Sequence, residues 1–333
     1  MKPYLVDVPV RVNIWIRPEC QRRQFDIIKQ ARPSILFLQS DGGRNEKEWE
    51  AIYSNRKLIE NGIDWECRVV KVYETENQGL YAMGQKMSQI IWNEVDRCIF
   101  LEDDQLPSVS YFQFCAELLE KYKDDMRIEC ICGMNQLGEY KECTSDYFFS
   151  RQGSIWGIAQ WKNRVEERGK FVYGNDEYIL KLLKQRTRHN KIAWKRLCAY
   201  AEHDIFEGHV AGSEFWIEFN MYAQNRVQIV PKINMISNIG TTDDSAHAAE
   251  VKLLPKGIQQ VFHSKTKEIS FPLKHPEYVI PDIFYENQRN RIMGYNTPFI
   301  NFERKGERVL RILRYAGLKT LINTLITKKS AEK

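Results

Sequence analysis

Short apolar runs alternate with amphipathic stretches along the first half of the chain. The run VRVNIWI predicts a strand over 10–16, closed by Arg17-Pro18. Helical spacing follows over 19–31 and stops before Pro33. SILFLQ predicts a buried strand over 34–39, ended by Ser40-Asp41-Gly42-Gly43. A polar helix over 46–60 closes at Asn61-Gly62, a pair suited to a C-terminal cap. WECRVVKVY (65–73) is a third strand, 80–95 an amphipathic helix, and RCIFL (97–101) a fourth strand. A helix over 108–123 and the strand IECICG over 128–133 continue the alternation. Beyond it, DYFFSRQGSIWGIA (146–159) reads as strand and Gly-rich loop, and 176–201 as a long helical stretch. A short strand over 228–231 precedes a loop rich in Asn, Thr and Asp. This spacing of strands and helices implies βαβ units and an α/β fold. A mostly parallel sheet is flanked by helices, with a C-terminal helical extension.

Polar residues follow each early strand: Arg17 the first, Asp41 the second, Asn77 and Gln78 the third, and Glu102, Asp103 and Asp104 the fourth. In an open parallel sheet the carboxyl ends of the strands share one edge, where ligands bind. An acidic triplet after a strand has two readings. One is a solvated turn leading to a helix, whose N-terminus favours negative charge. The other is a site for a hard divalent cation, magnesium or manganese, held by carboxylate oxygens.

Composition narrows the classes. The chain has 333 residues, 43% hydrophobic and 28% charged, as in an ordinary globular protein. Its first twenty residues lack a signal-peptide core, and no apolar run is long enough to span a bilayer, so a cytoplasmic protein is expected. The eight cysteines form no CxxC pair and no zinc spacing, which predicts free thiols in a reducing compartment. Net charge is +5 overall. From Phe302 onward nine Lys or Arg and three Glu give +6, so the body is near neutral. That distribution argues against a nucleic-acid groove across the body. In the tail, Val309, Leu310, Ile312, Leu313, Leu318, Leu321, Ile322 and Leu325 form an apolar face with basic side chains opposite. Such a helix suits either the surface of an anionic membrane or packing on the body.

Together, Arg17, QSDGG, NQGL and FLEDD, with YFFSRQGSIWGIAQW and IVPKINMISNIGTTDDSAH further on, resemble the GT-A glycosyltransferases. The likeness is to N-acetylglucosaminyltransferase I and bacterial relatives in particular, and covers roughly residues 10–250. It implies a catalytic domain over 1–250, with a nucleotide-sugar-binding half (1–136) and an acceptor half (137–250), then an extension over 251–333. It further implies an inverting, metal-dependent transfer from a UDP-sugar to a glycan or lipid-linked glycan, as in capsule or lipopolysaccharide synthesis. By resemblance Asp104 is the ligand of Mn2+ or Mg2+, with His247 a second contact. Glu102 and Asp103 face the donor's sugar and ribose, Asp41 and Arg17 contact the base, and Asn77 and Gln78 line the donor side. Glu214 in GSEFWIEF is the candidate general base, with Glu218 behind it. Two other classes stay open. One is a non-catalytic nucleotide-sugar or glycan-binding relative. The other is a metal-dependent nucleotidyltransferase or nuclease, which would place basic residues near the acids.

Overall fold

A computed structural model describes residues 1–167, 176–188, 193–195, 197–198, 213–240, 251–262, 264–294 and 298–331, with side chains to residue 320. It opens with β1 (Val6–Ile14), α1 (Pro18–Ala31), β2 (Pro33–Ser40), α2 (Glu46–Gly62), β3 (Arg68–Tyr73), α3 (Leu80–Glu94) and β4 (Arg97–Leu101). Next come β5 (Gln105–Pro107), α4 (Ser110–Lys121), β6 (Ile128–Cys132), β7 (Tyr147–Ser150), β8 (Ile158–Trp161) and the short α5 (Lys162–Val165). The remainder comprises α6 (Glu177–Arg186), α7 (Ser213–Ala223), β9 (Val227–Pro231), β10 (Ile236–Asn238), α8 (Lys256–Phe262), α9 (Ile283–Met293) and α10 (Pro298–Ala331).

One eight-stranded sheet runs β3-β2-β1-β4-β8-β6-β9-β7, and β5 pairs with β10 in a separate ribbon. Pairings β3–β2, β2–β1, β1–β4 and β6–β9 are parallel; β8 and the edge strand β7 run antiparallel to their neighbours. Alternation along β2 sorts its side chains to two cores. Leu36 and Leu38 join Phe25 and Ile28 of α1, while Phe37 joins Met83, Met87 and Ile91 of α3. The sheet is therefore covered on both faces, as the α/β reading requires. After β3 the chain returns to lay β4 on the other side of β1. That reversal is a topological switch point, and it opens a crevice between the carboxyl ends of β1 and β4.

Several boundaries differ from expectation. β1 starts at Val6 rather than Val10, and a register shift between Val6 and Pro9 accommodates the proline within it. Gly62 stays helical, and the cap is the extended Ile63. A Cβ at Gly62 would lie 2.3 Å from a Phe25 ring carbon, so this glycine permits close helix packing rather than a left-handed turn. The helix expected over 176–201 ends at Arg186, where the Thr187 hydroxyl turns back to the Leu183 carbonyl at 2.7 Å. Much of the rest of that stretch lies outside the described residues. β5 and β10, three residues each, are too short for periodicity to reveal.

Candidate functional site

Leu101 ends β4, and a turn follows in which Gln105 N–H donates to the Glu102 carbonyl at 3.1 Å. Two buried glutamines pin this turn. Gln24 Nε2 of α1 donates to the carbonyls of Glu102 and Gln105, each at 2.6 Å. Gln105 Oε1 accepts from the backbone N–H of Glu102 at 3.3 Å and of Gly157 at 3.0 Å. The sequence reading missed both. Their signal was present for Gln24, which with Gln21 occupies positions that helical spacing assigns to the buried face of α1.

Arg17 meets Asp103 and Asp104 at the crevice. A single guanidinium nitrogen, Nη1, lies 3.2 Å from Asp103 Oδ1 and 3.2 Å from Asp104 Oδ2. Arg17 Nε and Nη2 make no hydrogen bond among the described residues. Asp103 is buried, and its Oδ2 has no hydrogen-bond partner among them. Loss of water pushes the Asp103 carboxyl up to about 7; Arg17 opposes this, and the neighbouring Asp104 and Glu102 charges add to it. Asp104 is held by its backbone, whose carbonyl accepts from Ile239 N–H at 2.8 Å. Gly240 lies directly against it, since a Cβ there would come within 2.8 Å of Asp104 Oδ2. Here the chain leads on toward His247, which lies outside the described residues.

Glu102 is tied to β1. Its carboxylate accepts from Arg11 Nη2 at 2.7 Å and Asn13 Nδ2 at 3.1 Å. Enclosure works against its ionisation, but the Arg11 charge and these two donors outweigh it and keep the carboxyl below its usual range. Its side chain is 40% exposed, so the remaining acceptor positions are open to a ligand.

A second cluster joins the ends of β2 and β3. Asp41 Oδ1 accepts from the N–H groups of Gly42 and Gln78, both at 2.8 Å. Its Oδ2 accepts from Asn77 Nδ2 at 3.1 Å and Gly79 N–H at 2.9 Å. A carboxylate offers about four acceptor positions, so Asp41 is saturated. It therefore fastens the loops that follow β2 and β3. Gly42 makes the approach possible, for a Cβ there would lie 2.3 Å from the Glu76 backbone. Arg56 braces the same corner. It donates to the carbonyls of Ser40, Asp41 and Glu74 and lies 4.4 Å from the Tyr73 ring centre. Asn77 also donates to the Gly42 carbonyl at 2.8 Å, and Gln78 is exposed.

Glu214 sits exposed in the first turn of α7 and makes no hydrogen bond or ion pair with the acidic cluster. Only residues 224–226 separate α7 from β9, so the helix runs back along that strand. Ile217 and Met221 pack on the sheet beside Cys130, Cys132 and Val230. The start of α7 thus faces the same carboxyl edge as Asp103 and Asp104. Glu218 is half-buried one turn on.

Asp103 and Asp104 fit a divalent cation. Both offer hard oxygen donors, and Asp103 Oδ2 is a buried acceptor with no hydrogen-bond partner among the described residues. No group of three or more His, Cys, Asp or Glu is arranged to hold a metal among the described residues. A cation that shares its coordination with substrate phosphates needs only one or two carboxylates.

No family model and no curated protein matches the sequence. Among solved structures, the chain is similar to mouse xyloside xylosyltransferase 1 in its apo form, at 12% identity over 80% of this chain and 95% of that one, with a TM-score of 0.38. It is similar to a UDP-glucose pyrophosphorylase complexed with UDP-glucose at 10% identity, over 69% and 91% of the two chains, with a TM-score of 0.33. It is also similar to glucosyl-3-phosphoglycerate synthase from Mycobacterium tuberculosis in complex with Mn2+, UDP and phosphoglyceric acid. There the identity is 12%, the coverage 47% of this chain and 56% of that one, and the TM-score 0.29. At such identities and scores the likenesses say nothing of chemistry, and none singles out the N-acetylglucosaminyltransferase I group. The architecture is GT-A-like: a mostly parallel sheet flanked by helices, with a C-terminal helical extension.

The raised Asp103 pKa has a consequence for stability in metal-free protein. Its carboxyl titrates near 3.8 when unfolded and about 7 when folded. The folded state therefore favours the protonated form. That contribution is fully present below about pH 4 and is lost as pH rises through 7, a change of up to about 4 kcal/mol. Asp103→Asn should be more stable than wild type at pH 8, with the gap closing at pH 4. Urea unfolding in chelator measures it; equal stability at pH 8 would show that Asp103 ionises without cost.

Proposed function

We propose that this chain is a metal-assisted glycosyltransferase that moves a sugar from a nucleotide diphosphate donor, a UDP-sugar, to a glycan or lipid-linked glycan. The observation carrying this reading is the Arg17–Asp103–Asp104 cluster at the β1/β4 switch point, with a buried carboxylate oxygen that has no partner among the described residues. Asp104, assisted by Asp103 and by His247 beyond it, would hold manganese or magnesium. When bound, that ion supplies Lewis-acid neutralisation of charge growing on the leaving diphosphate. Arg17 commits one nitrogen to the acids and turns its remaining donors to phosphate oxygens. Glu102 uses its open acceptor positions on the donor's hydroxyls. Asp41 acts through Asn77 and Gln78, holding the loops that border the base.

Glu214 takes the proton of the acceptor hydroxyl onto a carboxylate oxygen as that hydroxyl attacks the anomeric carbon. The attack comes in line with the departing diphosphate, so the configuration inverts. A cytoplasmic enzyme of bacterial capsule or lipopolysaccharide assembly is the setting we propose.

Thermal unfolding with nucleotides tests the donor site. A ligand at a hundredfold excess over its Kd stabilises the native state by about 2.7 kcal/mol. UDP should raise the melting temperature, and manganese should enlarge the rise. Equal shifts with ATP, GTP and UDP would remove the case for uridine, and no shift with any of them would remove the nucleotide site.

A further inference from the structure

α10 docks on the body with the side opposite to its apolar stripe. Arg304 donates to the Arg291 carbonyl at 3.3 Å, seated where a Cβ at Gly257 or Gly294 would collide with it. Glu307 accepts from Lys256 N–H at 2.9 Å, and Arg311 bonds to Glu307 and to the Lys252 carbonyl. Ile312 is buried and so leaves the stripe expected from the sequence. At 100° per residue, Phe299, Phe302, Val309, Leu310 and Leu313 fall in an arc of about 100° on the far side. All five are exposed, Phe299 and Phe302 by 80% and 77%. They precede Gly317, whose backbone departs from helical geometry.

A helix held by its polar side, with phenylalanine and leucine outward, invites a partner. Charge selects which one. Docking consumes Arg304, Arg311 and Glu307, leaving Lys305, Arg308, Arg314 and Lys319 exposed against the single acid Glu303 over 298–320. Lys305 and Arg314 flank the apolar arc on its two sides. A second copy seated there would bring like charges together. An anionic bilayer instead meets the flanks with phosphate and accepts the aromatic and aliphatic side chains at its headgroup boundary.

We propose that this face of α10 seats the protein on anionic lipid, an attachment independent of the transfer chemistry. Sedimentation of the full chain with phosphatidylcholine vesicles containing about one-third phosphatidylglycerol tests it. Binding is expected, weakened by salt and absent on pure phosphatidylcholine. The double variant Phe299→Ser, Phe302→Ser should bind at least about tenfold more weakly. So should Lys305→Glu with Arg314→Glu, which leaves the apolar arc intact. UDP-induced stabilisation should survive in both, since none of these side chains belongs to the donor site. Failure of the wild type to bind anionic vesicles would overturn the proposal. So would a concentration-dependent dimer that Phe299→Ser, Phe302→Ser dissolves, since the face would then be a self-interface.

Discussion

Asp104→Asn is expected to abolish the manganese-dependent part of UDP binding and to slow sugar transfer by about 10³-fold. Two effects combine. On the proposed reading the substitution would remove a charged ligand from a cation that also binds the leaving diphosphate, and Lewis-acid stabilisation of that charge is worth several kcal/mol. A thousandfold loss corresponds to about 4 kcal/mol of barrier. The fold should tolerate the change, because Asp104 is anchored by its carbonyl to Ile239 and, among the described residues, its side chain bonds only to Arg17. Arg17 retains Asp103 at 3.2 Å. Melting temperature, UDP affinity with and without manganese, and transfer rate separate the outcomes. Loss of transfer with intact manganese-dependent UDP binding would place the metal ligand elsewhere.

Glu214→Gln should behave in the opposite way. Donor binding stays near wild type, while transfer slows by about 10² to 10⁴-fold, the usual share of a positioned general base. That range equals about 3 to 5.5 kcal/mol of barrier. Stability gives little room for another explanation. Glu214 is exposed in the first turn of α7, so neutralising it forfeits only the favourable interaction of an acid with a helix N-terminus, about 0.3–1 kcal/mol. A transfer rate close to wild type would exclude Glu214 and pass the role to the half-buried Glu218 or to Asp204, which lies outside the described residues.

The junction of β4 with the acids was legible because the apolar run Cys98-Ile99-Phe100-Leu101 ends abruptly at Glu102. Arg17 was legible for a similar reason, standing between a strand pattern and a proline that opens a helix. What those residues touch was not. Glu102 is fixed by Arg11 and Asn13, and its turn by Gln24, pairings across some eighty to ninety residues that no local pattern encodes. Asp41 looked like a ligand-facing acid, yet four donors from two loops fill it. Spacing marked the polar residues after β2 and β3 as neighbours but could not count their hydrogen bonds. In α10 the sequence exposed an amphipathic pattern whose orientation was undetermined. Glycines at 257 and 294, far from the helix in sequence or beyond its start, admit Arg304 and decide which side docks.

The most direct test of the central claim is multiple-turnover release of UDP from a panel of UDP-sugars by the full chain. Rates are compared in manganese, in magnesium and in chelator. The account predicts turnover with at least one donor, dependent on the divalent cation and lost in Asp104→Asn. Manganese-strengthened UDP binding without turnover on any donor, with or without glycan acceptors, would contradict it and leave a nucleotide-sugar-binding protein that carries out no transfer.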